Sequence, residues 1–202
     1  MKPTALTVLA PPPPSALAGP AAPPAGGCEL VVDAQHFERV VLAGILRAKV
    51  SLDIMTADFK AMLVPERGRS RARSIVEVMR ALAARGVEVR LLHAGTPSAP
   101  ALQELKRSLP EHMTIRRCPR LHSKAVVIDC QRMYLGSANL TGAGLGAKGD
   151  TRRNFEMGVW TEAPAMIDAV LDEFNALWEG RQCDGCGRKD HCPVPLEEPD
   201  LV

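Results

Sequence analysis

Apolar and polar positions alternate along the first half of the chain in a way that predicts strands separated by helices. Short apolar runs that are typical of buried strands occupy residues 28–33, 50–58, 87–94 and 112–119. Apolar side chains recur at helical spacing in residues 34–49, 74–86 and about 98–108. The segment 59–70 contains Pro, Gly and several charged residues, so it is predicted to be a loop.

The second half of the chain differs because strands follow one another directly. Single strands are predicted at residues 122–129, 132–139 and 154–162. An amphipathic helix over 163–180 begins near Pro164. Alternating strands and helices followed by successive strands predict an α/β fold, with a mixed β-sheet flanked by helices on both faces.

Both ends differ in composition from this central region. Residues 1–27 are rich in Pro and Ala and have little to bury, so we expect a disordered tail. Prolines interrupt its apolar patch before a signal peptide could form, and no run approaches the roughly 18 apolar residues of a membrane span. We therefore expect a cytoplasmic protein without stable membrane association. The folded domain is expected at 28–180, with a Cys-rich tail at 181–202.

Overall composition restricts the function only slightly. Hydrophobic residues make up 46% of the chain, which is normal for a globular protein with a core. The net charge of +2 does not by itself indicate a partner. Aromatic residues make up only 3%, so stacking platforms for single-stranded bases would be few.

The stretch LHSKAVVIDCQRMYLGSANLTGAG, residues 121–144, carries the candidate chemistry. His122 and Lys124 are two residues apart, so on a strand their side chains point to the same face. Ser137 and Asn139 are expected at the end of the next strand. An ammonium, a hydroxyl and an amide beside a neutral imidazole suit a tetrahedral anion that the imidazole can attack.

This stretch resembles the HKD motif of the phospholipase D superfamily. It reads His122-x-Lys124-x4-Asp129-x6-Gly136-Ser137-x-Asn139, and Asn154-Phe155-Glu156 is similar to the Asn-x-Glu that follows the motif in that family. A His beside a strand is usually structural and a nearby Lys is usually a solvated charge, but six fixed positions in eighteen residues favour the functional interpretation. The resemblance covers about residues 28–180.

The resemblance implies a role for each matching residue. His122 would be the nucleophile that forms a covalent phosphohistidine, while Lys124 and Asn139 would hold the nonbridging oxygens. Glu156 would accept a hydrogen bond from His122 and fix its tautomer, and Asp129 would orient rather than react. No metal is required for this chemistry, because Lys and Asn neutralise the charge that Mg²⁺ would otherwise meet.

The family mechanism uses two histidines, and this chain carries one motif. The other histidines belong to no second copy of it; they are His36, His93, His112 and His191. The resemblance therefore implies a homodimer in which two motifs face each other across a two-fold axis. Small single-motif members of the family, bacterial nucleases among them, dimerise in this way.

Basic residues near the motif favour nucleic acid, DNA more than RNA, as the substrate. They form three groups: Lys60, Arg67, Arg69, Arg71 and Arg73; Arg116, Arg117 and Arg120; and Lys148, Arg152 and Arg153. Clustered Arg at a phosphodiesterase cleft suits a polyanionic backbone, and we expect Arg120, Arg152 and Ser137 to help bind it. The alternatives are a hydrolase or transferase of phospholipids or other small diesters, and a non-catalytic backbone-binding subunit of a larger complex. The resemblance suggests a phage-defence context for such a complex.

The C-terminal cysteines predict a metal site of their own. Cys183-x2-Cys186-x5-Cys192, with His191 beside the last, is typical of a metal knuckle. Structural zinc would need a fourth ligand, for which His191 is the local candidate and Cys28 or Cys118 a distant one. The spacing also resembles the iron–sulfur staple of RecB-type nucleases, with Cys28 as fourth ligand. Cys130, inside the motif, is expected to be a small buried residue.

Overall fold

A seven-stranded mixed sheet organises the chain. The computed structural model describes residues 27–65, 71–107 and 109–192. The predicted N-terminal tail, residues 1–27, therefore lies almost wholly outside the described residues. The strands of the seven-stranded sheet are β1 (Cys28–Val32), β2 (Ser51–Thr56), β5 (Glu88–His93), β6 (Met113–Arg117), β7 (Ala125–Ile128), β8 (Arg132–Gly136) and β9 (Met157–Thr161); β3 (Leu63–Val64) and β4 (Arg73–Ser74) form a separate pair. They lie in the order β1-β9-β8-β7-β2-β5-β6, with β2, β5 and β6 parallel and the remaining pairs antiparallel.

Helices cover both faces of this sheet, which confirms the predicted α/β fold. They are α1 (Ile75–Ala83), α2 (Ala99–Leu105) and α3 (Pro164–Trp178). Neighbouring residues of β7 show the layering, because Val126 belongs to the core shared with α1 and α2, whereas Val127 packs with Ile167 of α3. In the part of the chain that the structure describes, none of the helices has both the length and the apolar character needed to cross a membrane.

Two segments differ from their prediction. The single helix expected over 34–49 is a π-helix (Phe37–Leu42) and a 3-10 helix (Ile45–Arg47), separated at Gly44. A Cβ on Gly44 would lie 2.4 Å from the Val40 carbonyl oxygen and 3.1 Å from the Trp160 ring, so close packing on the sheet interrupts regular helix. The predicted loop contains one short strand, β3 (Leu63–Val64), which pairs antiparallel with β4 (Arg73–Ser74) beyond the end of that loop.

The strand directions define two edges of the sheet. At one edge, called here the upper edge, β1, β2, β5, β6 and β8 end while β7 and β9 begin. The opposite, lower edge carries the start of β2 and the end of β7. The loops at these strand ends therefore lie along the upper edge, where open α/β sheets commonly hold their ligands.

Candidate active site

His122 and Lys124 lie at the upper edge, immediately before β7 rather than within it. The predicted strand over 122–129 is shorter, because residues 121–124 are irregular and β7 begins at Ala125. The Lys124 Nζ nevertheless lies 3.2 Å from Nδ1 and 3.4 Å from Nε2 of His122. It also donates to the His122 carbonyl oxygen at 2.6 Å. An ammonium can donate to a ring nitrogen only where that nitrogen keeps its lone pair, as a nucleophile must.

The two side chains differ in exposure. Lys124 is 8% exposed, whereas His122 is exposed and therefore accessible to a substrate. Burial lowers the pKa of Lys124, and the nearby charge of Glu156 opposes this effect. A partly desolvated ammonium interacts more strongly with a bound anion than a fully hydrated one, because the local dielectric constant is lower.

Asn139 is oriented by contacts with the loop after β2. Its Oδ1 accepts a hydrogen bond from the Asp58 backbone N–H at 3.0 Å, and the Thr56 hydroxyl lies 3.3 Å away. With the carbonyl oxygen occupied in this way, the assignment that satisfies the network leaves the amide NH₂ to donate elsewhere. The side chain is thus suited to bind an anionic oxygen.

Glu156 supports the site in a different way from the one expected. Its two carboxylate oxygens accept hydrogen bonds from the Ser137 hydroxyl and, at 2.9 Å, from Asn154 Nδ2. Within the described residues, no hydrogen bond joins Glu156 to His122, so the tautomer-fixing contact stays a prediction. Because the hydroxyl proton of Ser137 is directed to Glu156, Ser137 acts as a support here and is not free to donate to substrate.

A buried His–Tyr pair behind the site was not identified from the sequence. The His36 Nε2 lies 3.0 Å from the Tyr134 hydroxyl, which accepts a hydrogen bond from the Ala138 N–H at 3.1 Å. The His36 Nδ1 lies 2.9 Å from the Asp33 carbonyl oxygen, so Tyr134 donates to His36 and His36 donates to Asp33. Burial lowers the pKa of His36 and raises the pKa of Tyr134 to about 12. The pair is neutral and holds the turn between Ser137 and Asn139.

Two glycines and Asp33 complete this support. A Cβ on Gly158 would lie 2.2 Å from the Tyr134 ring, and one on Gly136 would lie 2.4 Å from the Tyr134 hydroxyl oxygen. The absence of both side chains therefore makes room for the ring. Asp33 Oδ1 accepts a hydrogen bond from the Glu156 N–H at 3.0 Å, which fixes the backbone just before β9. The glycine of the motif is the one feature of this group that the sequence singled out.

Asp129 does not join the site, so it does not orient a reacting group there as the resemblance implied. It follows β7 at the lower edge, about 16 Å from Lys124 at a strand rise of roughly 3.3 Å per residue. Its Oδ1 accepts hydrogen bonds from the backbone N–H groups of Lys49 (2.9 Å), Val50 (2.7 Å) and Ser51 (3.1 Å). Burial would raise the pKa of Asp129, but these donors and Arg132 together hold it below its usual value. Asp129 is a structural residue.

The basic groups are more occupied than their spacing suggested. Arg116 stacks over the Trp178 ring at 4.7 Å and donates to its carbonyl oxygen, while Arg117 donates to the Ala94 carbonyl oxygen at 3.0 Å. Salt bridges hold Lys60 to Asp58 (2.7 Å) and Arg153 to Asp150 (2.6 Å). Exposed side chains remain at Arg71, Arg120, Lys148 and Arg152, and Arg67 and Arg69 lie outside the described residues.

The cysteines fall into two sets. Cys118, Cys183, Cys186 and Cys192 line one cavity of about 290 Å³ that also reaches His122. Cys28 and Cys130 are exposed elsewhere, so the expected burial of Cys130 is wrong; it lies in the turn after β7 with φ of 53°. The side chain of His191, a predicted metal ligand, lies outside the described part of the chain.

Comparisons of the sequence with known proteins agree with this geometry. The sequence model of the family described as "Cardiolipin synthase, PLD-like domain" matches residues 41–178. That range contains the motif and most of the sheet. No curated protein sequence matches the chain significantly.

Solved structures share the fold. Nuc from Salmonella typhimurium, described as a phospholipase D family member, is 22% identical, with 75% of this chain and 93% of Nuc covered and a TM-score of 0.53. NucT from Helicobacter pylori is 16% identical, with 74% and 93% covered and a TM-score of 0.53. TrmBL2, an archaeal chromatin protein described with a novel mode of DNA binding, is 13% identical, with 75% and 52% covered and a TM-score of 0.50.

The predicted family is thereby confirmed by the match over most of the folded region and by the shared fold. The chain belongs to the phospholipase D superfamily, a family of phosphodiesterases.

Proposed function

We propose that the protein is a metal-independent nuclease that cleaves nucleic-acid phosphodiester bonds through a covalent phosphohistidine on His122. The observation that carries this proposal is the position of the Lys124 ammonium, 3.2 Å from His122 at the edge where Asn139 directs its amide. A nucleophile and two groups suited to anionic oxygens thus come from two different loops, one before β7 and one after β8. That arrangement fits a phosphoryl group, whose transfer depends mainly on positioning and charge stabilisation.

The reaction has two balanced steps. A ring nitrogen of His122 attacks phosphorus, the bond to the leaving oxygen breaks, and that oxygen takes a proton from a second imidazole. Lys124 and Asn139 stabilise the nonbridging oxygens as charge develops on them. Water then attacks phosphorus and gives a proton to the second imidazole while the P–N bond breaks. His122 is released with its original protonation.

The second imidazole comes from another copy of the chain. Among the described histidine side chains, His36 and His93 are fully buried, and His112 is bound to Glu88 at the lower edge. None of these is available beside His122. A two-fold axis next to the site would bring the His122 of a second copy to it.

An uncovered part of the sheet supports this dimer. Helix α3 packs on β7 and β8 but leaves the same face of β9 and β1 open. Leu30 is 63% exposed there, Met157 is 65% exposed, and Phe155, which precedes β9, is 95% exposed. Met157 follows Glu156 directly, and its N–H donates to Ser137 Oγ at 3.1 Å. An apolar face that begins at the site suits a second copy better than water.

Nucleic acid is the substrate that the surroundings favour. The exposed cations Arg120, Lys148 and Arg152 are suited to phosphate contacts on either side of the scissile bond. The described DNA binding of TrmBL2, which has the same fold, supports DNA over RNA. Since several other basic residues are engaged in packing, we expect moderate affinity with a shallow salt dependence.

A phospholipid or another small diester is the second candidate. The description of the matching family names cardiolipin synthase, an enzyme of phospholipids. The exposed side chains of Phe155 and Met157 beside the site are suited to contact acyl chains. The same enzyme preparation should therefore be tested on lipid.

The experiment compares cleavage of single- and double-stranded DNA and RNA, and of phospholipid vesicles, by the wild type and His122→Ala. His112→Ala is the matched control, because that imidazole lies at the lower edge. Reactions contain EDTA, with bound metal measured before and after. We expect DNA cleavage by the wild type and the control and none by His122→Ala. Turnover of lipid alone would overturn the nuclease proposal. Cleavage by His122→Ala would overturn the assignment of His122 as the nucleophile.

A further inference from the structure

The second cluster of reactive side chains lies next to the active site and is not used by the proposed reaction. Cys118 follows β6 at the upper edge, and Cys183, Cys186 and Cys192 follow α3. All four line the same cavity, although they come from two distant parts of the sequence. None of them is in a disulfide.

Three contacts hold the two segments together. Cys192 Sγ lies 3.9 Å from the Arg117 carbonyl oxygen, on the residue before Cys118. Arg188 donates to the Pro119 carbonyl oxygen at 3.1 Å. Arg120 donates to Cys186 Sγ at 3.4 Å. The C-terminal loop therefore lies directly over the segment that leads to His122.

The loop has the backbone of a thiolate-binding turn. Gly185, between Cys183 and Cys186, has φ of 70°, and the Cys186 N–H donates to the Cys183 carbonyl oxygen at 3.1 Å. The Arg120 guanidinium donates to the Cys186 sulfur at 3.4 Å. Hydrogen-bond donors beside a sulfur are typical outer contacts of a thiolate ligand.

Little else would hold this loop in place. Between Gln182 and Cys192 the described residues are polar, charged or Gly apart from the cysteines, and most of them are exposed. Such a segment has almost no apolar surface to bury, so beyond a few polar contacts a metal bound by its cysteines would be its main anchor. Without a shared ligand, the position of four thiols around one cavity would not stabilise the loop.

We propose that Cys118, Cys183, Cys186 and Cys192 bind one zinc ion in a closed, four-thiolate structural site. Four Cys ligands are a common tetrahedral set for structural zinc. Within the described residues, no group of three or more potential ligands already stands at metal-binding spacing, so the thiols must turn toward one another when the ion binds. The contacts at Arg117, Pro119 and Arg120 bring the two segments close enough for this.

This ligand set replaces two candidates raised by the sequence. Cys28 begins β1 at the lower edge, six strands away from β6, or about 29 Å at roughly 4.8 Å per strand. It cannot reach the cluster without unfolding the sheet. Cys118 takes the position that His191 was expected to fill, which leaves His191 outside the ligand set.

The site has a consequence for catalysis. Cys118 precedes His122 by four residues, and residues 119–124 have no regular structure of their own. An ion bound by Cys118 would fix the start of this segment, and through it the position of His122. The zinc is a positioning element, since a closed set of four thiolates leaves no place for substrate.

The test measures zinc in the purified protein and maps its free thiols. Native protein is alkylated with iodoacetamide, and the modified cysteines are identified by peptide mass spectrometry. We expect one zinc per chain, rapid modification of Cys28 and Cys130, and protection of the other four cysteines. Removal of zinc with a strong chelator should expose all six.

Variants then identify the fourth ligand. Cys118→Ser should weaken zinc binding at least about tenfold and expose Cys183, Cys186 and Cys192 to alkylation. Cys28→Ser and His191→Asn are the matched controls and should bind zinc as the wild type does. Unchanged affinity in Cys118→Ser, or loss of zinc in His191→Asn, would overturn the assignment.

If Cys118→Ser does not fold, the ligands can still be identified by X-ray absorption at the zinc edge of the wild-type protein. Four sulfur atoms at about 2.3 Å are expected, whereas three sulfurs and one nitrogen would contradict the proposal. Protein that contains no zinc and takes none up would also overturn it, as would stoichiometric iron and sulfide. None of these outcomes depends on the nuclease activity.

Discussion

The residues at the two ends of strand β7 belong to one sequence motif but make different kinds of contact. At the upper edge, exposed His122 lies 3.2 Å from the buried Lys124 ammonium. At the lower edge, Asp129 accepts three backbone hydrogen bonds from Lys49, Val50 and Ser51. The comparison shows that residues fixed in one motif need not share a function. One end holds the residues of the proposed chemistry, and the other fixes β2 beside β7.

The strongest way to sharpen this comparison is to remove the cation at the upper end. Lys124→Met should lower kcat/KM for DNA by about 10²–10³-fold, because it removes a group that stabilises developing charge. The free energy of unfolding should stay the same or rise, since the pKa of Lys124 is lowered and burial of its charge is therefore unfavourable. Steady-state kinetics and thermal unfolding measure the two effects. A loss of activity that merely follows a loss of stability would contradict the assignment.

The next largest effect concerns the second copy. Leu30→Asp places a charge on the open face of β1 and should give monomers with at least about tenfold lower activity, because the second imidazole is lost. Leu63→Asp is the matched control, since Leu63 is 64% exposed and Leu30 is 63% exposed. Light scattering and cleavage assays at several protein concentrations are the measurements. A monomeric wild type with full activity would refute the dimer.

A smaller effect is expected from Glu156→Gln. The amide keeps an acceptor for Ser137 or Asn154 but removes the negative charge near Lys124. We expect a loss of kcat of about tenfold, since hydrogen bonds to a charged group are worth roughly 1.5–3 kcal/mol. Asp150→Asn, which alters an exposed carboxylate paired with Arg153, is the control. An unchanged rate would mean that Glu156 is dispensable.

The smallest effect on activity, and a clear one on stability, is expected at the other end of β7. Asp129→Ala should cost about 2 kcal/mol of unfolding free energy, because three backbone donors lose their partner. The pKa of Asp129 is lower in the folded state, so its contribution is complete above the unfolded value near 3.8 and is lost as the pH falls through the folded value. Denaturant unfolding from pH 3 to 7 should show a shallower acid dependence in the variant. Cleavage well below the melting temperature should be nearly unchanged, and a large loss would restore a catalytic role.

The family and the sheet could be predicted from sequence because local patterns specify them. The motif spans two apolar runs that are typical of strands, and strand-helix alternation indicates the layers. Two predicted strands began too early, at His122 and at Asn154, because a polar residue at every second position also fits a strand. The structure ends each strand where the site begins, so that backbone and side chains can turn toward a ligand.

The support behind the site could not be predicted, because it joins residues that are distant in sequence. His36 and Tyr134 are 98 positions apart, and Asp33 holds the backbone of Glu156 across 123 positions. No local periodicity reports such contacts. The partners of Asp129 could not be predicted for the same reason, since they are in the turn before β2. The proximity of Cys118 to the C-terminal loop likewise depends on where β6 lies in the sheet.

The central claim is that His122 itself carries the phosphoryl group. It is tested most directly by acid-free quenching of wild-type enzyme during turnover of DNA labelled at the scissile phosphate, followed by peptide mass spectrometry. We predict a phosphorus–nitrogen adduct that is stable in base and labile in acid, that maps to His122, and that disappears when the reaction is complete. Turnover without any adduct, or an adduct on another residue, would contradict the account.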